Sequence, residues 1–307
     1  AVLRRLASEG KKKLKRFPVR LNYPRWLIDS WTNHYGLDKA EKIFEACVRE
    51  PMLDISVKSD PSYWAKKLDG QVLASGSIRC KFSGRIENLP GYDEGAWWVQ
   101  DAGATLPVQL FGKLDGANVL DVCAAPGGKT AQLLCGGANV TAIDISKVRI
   151  RRLKENLDRL GLKAELIHAD IKKWTTSRLF DFIFLDAPCS ATGTIRRNPD
   201  VLIHKTYEDV QKLSIVQMEI LQKVSKLVRP GGQLVYCTCS LQYEEGEAQV
   251  DRFLSKNNEF SRDPISLHEI GSVSDAINVN GDLRLLPYHL NQNEGVDGFF
   301  ASRLTRK

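Results

Sequence analysis

From about residue 117 onward, short apolar runs alternate with longer amphipathic segments. Buried strands are predicted for NVLDVCA, NVTAIDI, AELIHAD, FDFIFLDAP and QLVYCTCS, with a last strand at GFFASRL. Helices are predicted for KVRIRRLKENLDRLGL, for Tyr207 to Leu227, which ends before Arg229-Pro230-Gly231-Gly232, and for Glu244 to Leu254. This alternation predicts an α/β fold with a mostly parallel sheet and helices on both of its faces. In such a sheet, ligands bind outside the carboxyl ends of the strands.

The segment before this α/β pattern is organised differently. Residues 22 to 50 have apolar side chains at helical spacing. Between 51 and 93, short apolar runs are broken by prolines and glycines, which predicts small strands in an α+β unit. WWVQDAGATLPVQLF at 97 to 111 predicts a loop that leads into a helix. The chain is therefore predicted to have three parts, a basic tail, a smaller α+β subdomain and a larger α/β domain, at residues 1–20, 21–112 and 113–307.

Charge and composition narrow the class of protein. The net charge of +7 favours a polyanionic partner. Part of this charge lies in one run near the start, Lys11, Lys12, Lys13, Lys15 and Arg16. Such a run fits a solvated tail as well as a phosphate-binding surface. No apolar stretch approaches the roughly 18 residues of a membrane span, and no signal-peptide pattern is present, so we expect a cytoplasmic protein.

The seven cysteines are an odd number, which favours free thiols over a disulfide framework. Three stand outside any motif and are interpreted as structural: Cys47, Cys80 and Cys135. The other four lie at or near predicted strand ends: Cys123, Cys189, Cys237 and Cys239. They lack the C-x-x-C spacing that zinc sites use, so we expect no metal site.

A small-residue turn, DVCAAPGGKT at 121 to 130, joins a predicted strand to a helix. Glycine lets the backbone approach a ligand, and a helix start presents free N–H groups. A Walker A loop would need glycine where Cys123 stands, and the pattern G-x-G-x-x-G is absent from this turn. Asp144 ends the second strand, where an acid can accept hydrogen bonds from ribose hydroxyls, and Asp170 ends the third, towards an adenine edge. With Asp121 at the end of the first strand, acids stand at three successive strand ends. They predict an adenosine-containing cofactor, although each alone also fits a helix cap.

Two cysteine motifs follow the next two predicted strands. DAPCSATGTIRRNPD comes after the fourth strand and CTCS after the fifth, so Cys189 and Cys239 can face one cleft. A thiolate is a strong nucleophile once its pKa is lowered from about 8.5. Lys129 and Arg196 are candidate sources of the positive charge that would do so. Against this hypothesis, a buried structural thiol is the commoner fate of cysteine.

Methylation of cytosine at carbon 5 would use such a set of groups. Carbon 5 becomes nucleophilic after a thiolate adds to carbon 6, an acid at the base edge stabilises charge during the attack, and a second group helps the thiol to leave. Cys239, Asp186 and Cys189 would supply these three groups.

Six motifs span about residues 94 to 304 in this order: DVCAAPGGKT, AIDIS, HAD, LDAPCSATGTIRRNPD, YCTCS and DGFFASRL. They resemble those of the Sun/Fmu-type RNA cytosine-5 methyltransferases, and most closely the bacterial members that act on small-subunit ribosomal RNA. The resemblance implies a Rossmann-like methyltransferase fold with a seven-stranded, mostly parallel sheet and a smaller N-terminal α+β domain. It implies S-adenosylmethionine as the cofactor and RNA as the partner of a monomer that binds no membrane.

The same resemblance implies what each part of the chain does. Members of this bacterial group carry an N-terminal NusB-like helical RNA-binding domain, and residues 1–20 are similar to the end of it. Residues 21–112 would be an RNA-binding subdomain, and residues 113–307 would be the catalytic domain.

Roles for single residues also follow from the resemblance. Cys239 would be the nucleophile, Cys189 would assist product release, Asp186 would contact the cytosine, and Lys129 would lie near both cofactor and base. The residues implied to bind the cofactor are Cys123, Ala124, Ala125, Pro126, Gly127, Gly128, Lys129, Asp144, Arg149, Asp170 and Asp186. Gln100 and Asp101 match a further family motif.

Some alternatives stay open. Relatives that methylate DNA lack a second cysteine after strand five, so Cys239 favours an RNA substrate. Relatives usually have a small residue where this chain has Cys237, which makes Cys237 a rival nucleophile. The substrate could be transfer RNA instead of ribosomal RNA, and a catalytically idle ribosome-assembly factor would share the fold.

Overall fold

The computed structural model of this chain describes residues 17–271, 273–289 and 295–307. The basic run at 11–16, and with it most of the predicted tail, lies outside the described residues.

In chain order, the α-helices are α1 Arg25–Tyr35, α2 Leu37–Cys47, α3 Pro61–Lys67, α4 Ala102–Gln109, α5 Gly128–Cys135, α6 Lys147–Leu160, α7 Val201–His204, α8 Tyr207–Ser225 and α9 Glu247–Leu254. The strands are β1 Leu53–Val57, β2 Gly70–Val72, β3 Ile78–Cys80, β4 Trp97–Val99, β5 Asn118–Val122, β6 Asn139–Asp144, β7 Glu165–His168, β8 Phe180–Asp186, β9 Val228–Thr238, β10 Phe260–Arg262, β11 Leu283–Leu285 and β12 Phe299–Arg306. Short 3₁₀ turns lie at Val19–Asn22, Ile86–Asn88, Thr192–Thr194, Tyr243–Glu245 and Leu267–Ile270.

The larger sheet has eight strands in the described part of the chain. Seven follow the order β10-β12-β9-β8-β5-β6-β7, and β11 pairs with β12 outside this path. Strands β9, β8, β5, β6 and β7 run parallel, whereas β10, β11 and β12 pair antiparallel. The predicted α/β fold with a mostly parallel sheet is confirmed. The resemblance implies seven strands, and the described sheet has eight. The pattern of apolar runs missed β10 and β11, because three residues are too few to show an alternation.

The register of the parallel strands brings their carboxyl ends to one edge. Asp144 of β6 lies opposite His168 of β7, and Asp186 of β8 lies opposite Cys237 of β9. The small-residue turn and both cysteine motifs leave the sheet at this edge, so the topology gathers the predicted site residues into one region.

Three local predictions are corrected by the structure. Arg229–Gly232, expected as a connection after the long helix, belong to β9, where a register shift beside Phe180 accommodates the irregular segment. The predicted loop at 97–99 is strand β4, which pairs with β1. The helix expected from Glu244 begins as a 3₁₀ turn and becomes α-helical only in α9.

Helices cover both faces of the larger sheet, as the alternating pattern predicts. On one face, α4, α5 and α6 contribute buried leucines such as Leu106, Leu133 and Leu153. On the other face, α8 and α9 contribute Leu221 and Phe253. Among the residues that the structure describes, no helix combines the length and apolar content that crossing a membrane requires.

The smaller sheet has the order β2-β3-β1-β4 and is antiparallel. Asp54 of β1 is buried, and its carboxylate accepts two hydrogen bonds from Arg79 of β3, both of 2.7 Å. Asp54 also accepts a hydrogen bond of 3.0 Å from the backbone N–H of Ala102, in the first turn of α4. One buried acid therefore joins the smaller sheet to the helix that packs on the larger sheet.

Helices α1 and α2 pack against the segment that follows β9. Trp31 is fully buried and lies against Phe44, with ring centroids 5.4 Å apart. Its indole N–H donates to the side-chain oxygen of Gln242 at 2.7 Å, and the Tyr35 hydroxyl donates to the carbonyl oxygen of Leu241, also at 2.7 Å. The N-terminal helices thus support the chain just beyond the second cysteine motif.

We predict that Trp31→Ala lowers the free energy of unfolding by about 3–5 kcal/mol, because it leaves a large cavity in this core. Trp31→Phe keeps most of the ring but deprives Gln242 of its buried donor, so it should cost about 1–3 kcal/mol. Urea denaturation of both variants measures their free energies of unfolding and shows whether Trp31→Ala loses more stability than Trp31→Phe. Equal stability of Trp31→Ala and the parent chain would contradict this account of the packing.

Candidate active site

The two motif cysteines meet at the carboxyl edge of the larger sheet. Cys189 lies beyond β8 and Cys239 beyond β9, and their Sγ atoms are 3.4 Å apart. Both line a cavity of about 350 Å³ and are partly exposed. The structure therefore brings them into one cleft. The hydrogen bond with Cys239, followed by burial, raises the pKa of Cys189 well above its ordinary value, so Cys189 is a sulfur that retains its proton at neutral pH.

Asp186 and Lys129 form an ion pair beside these sulfurs. Asp186 ends β8, Lys129 lies in the first turn of α5, and Nζ is 2.8 Å from Oδ2. Lys129 also lies over the ring of Phe299, 5.1 Å from its centroid. Burial alone would lower the pKa of Lys129, but the charge of Asp186, that of Cys237 and the hydrogen bond with Asp186 together raise that pKa above its ordinary value. The site therefore contains a lasting ammonium charge.

The rival cysteine, Cys237, occupies a different environment. It lies inside β9, is fully buried, and its Sγ is 3.6 Å from Oδ1 of Asp186. Burial, followed by the charge of Asp186, raises the pKa of Cys237 well above its ordinary value. A buried thiol that holds its proton is a poor nucleophile, so the geometry favours Cys239.

The turn at 123–129 separates two cavities. All of its residues line a second cavity, of about 400 Å³, on the side of β4. Cys123 and Asp186 line both this cavity and the one at the sulfurs. Gly127 has a φ of +104°, and a Cβ there would lie 3.0 Å from Cγ of Leu153. Glycine therefore fits both the conformation and the space.

Asp144, Arg149 and Asp170 converge on the cavity that holds the sulfurs. Asp144 accepts hydrogen bonds from the backbone N–H groups of Ala125 at 3.2 Å and Ser146 at 2.9 Å, and it lies 3.3 Å from Arg149. Arg149 also donates to the carbonyl oxygen of Ala125. Asp170 accepts one backbone N–H of the turn after it, at 3.0 Å. Within the described ranges, no group of His, Cys, Asp or Glu side chains is arranged to hold a metal ion.

Asp121, at the carboxyl side of β5, tests whether the expected cofactor fits. It is fully buried and lines the 400 Å³ cavity, and its Oδ2 accepts a hydrogen bond of 2.6 Å from the Thr130 hydroxyl. Its Oδ1 has no hydrogen-bond partner in the described part of the chain. Burial raises the pKa of Asp121 to about 7. A buried acceptor left without a donor is costly, so the site suits a ligand that brings positive charge or donors, as S-adenosylmethionine does.

The expectation that Arg196 supplies positive charge to the sulfurs is wrong. Its side chain is fully buried, 2.8 Å from Asp101 and 3.8 Å from Asp297. The charges of Asp101 and Asp297 neutralise that of Arg196. Asp101 is held beside Arg196 because it caps the start of α4. The next residue, Arg197, pairs with Asp297 while lining the 400 Å³ cavity. Burial alone would lower the pKa of Arg197. The hydrogen bond to Asp297, with a smaller contribution from Cys239, raises the pKa of Arg197 instead. The two adjacent arginines thus contact the same acids, but only Arg197 lines the cavity.

Sequence reasoning missed Glu245, a fully buried acid behind the sulfurs. Its carboxylate accepts hydrogen bonds from Ser190 and Ser240, which directly follow Cys189 and Cys239. The serine after each cysteine is visible in the sequence, but Glu245 lies in a segment that resembles the polar start of an exposed helix. Only the tertiary structure connects the three.

Comparison with known proteins places this architecture in one family. The family described as 16S rRNA methyltransferase RsmB/F matches residues 108–305. The Ribosomal RNA small subunit methyltransferase B of Xylella fastidiosa is 35% identical over 331 aligned residues, which cover 100% of this chain and 73% of that protein. The Probable ribosomal RNA small subunit methyltransferase B of Bacillus subtilis is 30% identical, with coverage of 100% and 73%. The crystal structure of a methyltransferase homolog protein from Pyrococcus horikoshii has a TM-score of 0.76 and 25% identity, covering 94% of this chain and 97% of that one.

We predict that iodoacetamide alkylates Cys239 at least about tenfold faster than Cys237, because Cys237 is buried and its thiol holds its proton. Mass spectrometry of the native protein at pH 8, resolved by peptide, measures both rates in one experiment. The exposed Cys135 serves as the reactive reference and the buried Cys47 as the inert one. Equal rates at Cys237 and Cys239 would contradict the assignment.

Proposed function

We propose that this chain, which belongs to the 16S rRNA methyltransferase RsmB/F family, transfers a methyl group from S-adenosylmethionine to carbon 5 of a cytosine in small-subunit ribosomal RNA. The observation that carries the proposal is the pair of sulfurs of Cys189 and Cys239, 3.4 Å apart, beside the ion pair of Asp186 and Lys129. A covalent route to carbon 5 needs a thiolate, a group that helps it leave and a polar contact for the base. The site offers all three.

The substrate class rests on the relatives and on charge. The proteins from Xylella fastidiosa and Bacillus subtilis are named for the RNA of the small ribosomal subunit, and a net charge of +7 suits a polyanion. We propose that residues 21–112 bind RNA and that residues 113–307 carry the chemistry. The smaller sheet adjoins the site, because Trp98 and Val99 of β4 line the 400 Å³ cavity.

S-adenosylmethionine, when bound, supplies a methyl group on a positively charged sulfur. The turn at 123–129 borders both cavities and offers backbone N–H groups at the start of α5. Asp144 and Asp170 would hold the adenosine part, with Arg149 closing over the turn. Asp121, whose Oδ1 has no hydrogen-bond partner in the described part of the chain, lines the neighbouring 400 Å³ cavity.

Cys239 begins the reaction as a thiolate. Its proton goes to solvent, and its sulfur forms a bond to carbon 6 of the cytosine. The electron pair of the 5,6 double bond moves to carbon 5, which takes the methyl group, while the electron pair of the methyl–sulfur bond would stay on the sulfur of the donor. Asp186 accepts a hydrogen bond from the exocyclic amine of the base, and the Lys129 ammonium stabilises the negative charge that develops on the ring.

Cys189 acts when the product leaves. The carbon-5 proton passes to a solvent base, its electron pair restores the 5,6 double bond, and the bond between carbon 6 and the Cys239 sulfur breaks. Cys189 donates its S–H to the departing sulfur and stabilises the thiolate that forms, which its raised pKa and the 3.4 Å contact support. Removing this donor therefore prolongs the covalent complex.

The test is transfer of tritiated methyl from S-adenosylmethionine to unmodified small-subunit ribosomal RNA. Cys239→Ala should lower the rate by on the order of 10⁴-fold or more, because it removes the nucleophile. Cys237→Ala is the matched control, with a rate within about threefold of the parent chain, since it removes a buried thiol whose contact with Asp186, at 3.6 Å, is a weak sulfur hydrogen bond. No transfer by the parent chain would contradict the proposed function, and loss of activity in Cys237→Ala alone would reassign the nucleophile.

Cys189→Ala should accumulate protein covalently attached to RNA, because the thiolate of Cys239 loses the donor that helps it leave. The complex appears as a slowly migrating band on a denaturing gel after incubation with RNA and S-adenosylmethionine. A Cys189→Ala/Cys239→Ala double variant should give no band. Free protein alone in the Cys189→Ala lane would show that another group drives release.

A further inference from the structure

Glu245 is a buried acid directly behind the two sulfurs. It ends the 3₁₀ turn Tyr243–Glu245, and its side chain has no exposed surface. Its Oε1 accepts hydrogen bonds from the backbone N–H of Ser190 at 2.9 Å and from the side-chain amide of Gln217 at 3.0 Å. Its Oε2 accepts from the hydroxyls of Ser190 and Ser240. The carboxylate therefore has two donors on each oxygen, and all of them are uncharged.

These donors belong to the two segments that carry the chemistry. Ser190 directly follows Cys189, and Ser240 directly follows Cys239. Both serines are fully buried, and their hydroxyl oxygens are 3.1 Å apart. The backbone carbonyl of Glu245 also accepts the hydroxyl of Thr238, at 3.2 Å. One residue thus holds the chain on both sides of Cys239 and immediately after Cys189.

We propose that Glu245 is a positioning residue for methyl transfer, one that sets the contact between Cys189 and Cys239 by binding the serine that follows each. The inference rests on the proposed function, since it assumes that the two sulfurs act together. Glu245 touches neither substrate nor cofactor; it acts only through the two backbone segments that it joins. Displacing a reacting group by about 1 Å costs on the order of 100-fold in rate, so a link this close to both sulfurs controls the rate directly.

The geometry calls for a carboxylate at this position. Each oxygen receives two donors, and a glutamine offers only one oxygen and brings two N–H donors of its own. The amide nitrogen of the glutamine would face other donors, unless the serine hydroxyls rotated to present their oxygens to it. An aspartate would be too short to reach both serines from the same backbone. Burial raises the pKa of Glu245, while its hydrogen bonds, those from Ser190 first, oppose that rise.

Glu245 also acts on Cys189 through its charge. After the hydrogen bond with Cys239, burial and the charge of Cys239, the charge of Glu245 raises the pKa of Cys189, and Asp186 contributes after it. Loss of the Glu245 charge therefore lowers the pKa of Cys189. This shift gives a readout of the Glu245 charge beside Cys189 that does not depend on RNA.

The experiment compares Glu245→Gln with the parent chain, both as the full 307-residue protein. We expect the single-turnover rate of methyl transfer to fall by about 10- to 100-fold, with KM for RNA and the Kd for S-adenosylmethionine changed by less than about threefold, since the residue touches neither. The pH midpoint for alkylation of Cys189, followed by peptide mass spectrometry in a Cys239→Ala background, should move down in Glu245→Gln.

Glu269→Gln is the matched control. Glu269 also accepts from a serine hydroxyl and a backbone N–H, those of Ser266, and from Arg303, but it contacts neither cysteine segment. Its variant should methylate at the parent rate and leave the Cys189 midpoint unchanged. Should Glu245→Gln fail to fold, Ser240→Ala removes one donor of the four and is expected to slow transfer in the same direction.

Two outcomes would overturn the inference. One is a parent-like rate together with a parent-like Cys189 midpoint in Glu245→Gln. The other is a loss confined to thermal stability and cofactor affinity, with kcat per folded molecule unchanged, which marks a structural role only. If the parent chain itself transfers no methyl group, the proposed function fails, while the midpoint of Cys189 alkylation still shows whether the Glu245 charge acts on Cys189.

Discussion

The parallel pairing of β8 with β9 is the constraint on which the site depends. Asp186 lies opposite Cys237 in this register, so both strands reach the edge of the sheet together, and the segments beyond them place Cys189 against Cys239. Buried residues on both faces of the two strands fix this register. A slip of one residue would turn every side chain of the strand to the opposite face. The apolar core therefore fixes the distance between the Sγ atoms of Cys189 and Cys239 at the edge of the sheet.

Apolar packing sets the strands, but buried acids fix the segments beyond them. Asp54 joins the smaller sheet to the first turn of α4, and Asp101 joins the start of α4 to Arg196 in the first cysteine segment. Glu245 then joins the two cysteine segments to each other. Each of these carboxylates is inside the protein, where a hydrogen bond left unmade is costly. Such interactions favour one arrangement of the chain over the many that hydrophobic contacts alone would allow.

Much of the fold and of the site could be predicted from the sequence. The features that could not be predicted share one cause. Strand and helix patterns are local, so the α/β fold, the turn at 123–129 and the strand-end positions of Asp144, Asp170 and Asp186 follow from periodicity. The resemblance to a family added roles for Cys189 and Cys239 that spacing alone leaves open. The prediction that failed depended on the burial of a single side chain: Arg196 is fully buried between two acids, whereas the next residue, Arg197, lines the cavity. Glu245 was not identified from the sequence because one of its hydrogen-bond partners, Ser190, is far away in the sequence.

The bond from Ser240 to Glu245 has a consequence for how this sequence can change in length. The two residues close a small ring of chain, and the backbone N–H of Gln242 bonds back to the Ser240 hydroxyl inside it, at 3.0 Å. An inserted or deleted residue within 240–245 would move the carboxylate by the rise of a residue, out of reach of its donors. By contrast, the end of the connection between β7 and β8 is at the surface, where Leu179 is exposed and Arg178 pairs with Glu165. Exposed loops of that kind accept extra residues at little cost. A change in length is therefore tolerated at the surface before the amino end of β8 and excluded beyond the carboxyl end of β9, where it would separate Glu245 from its donors.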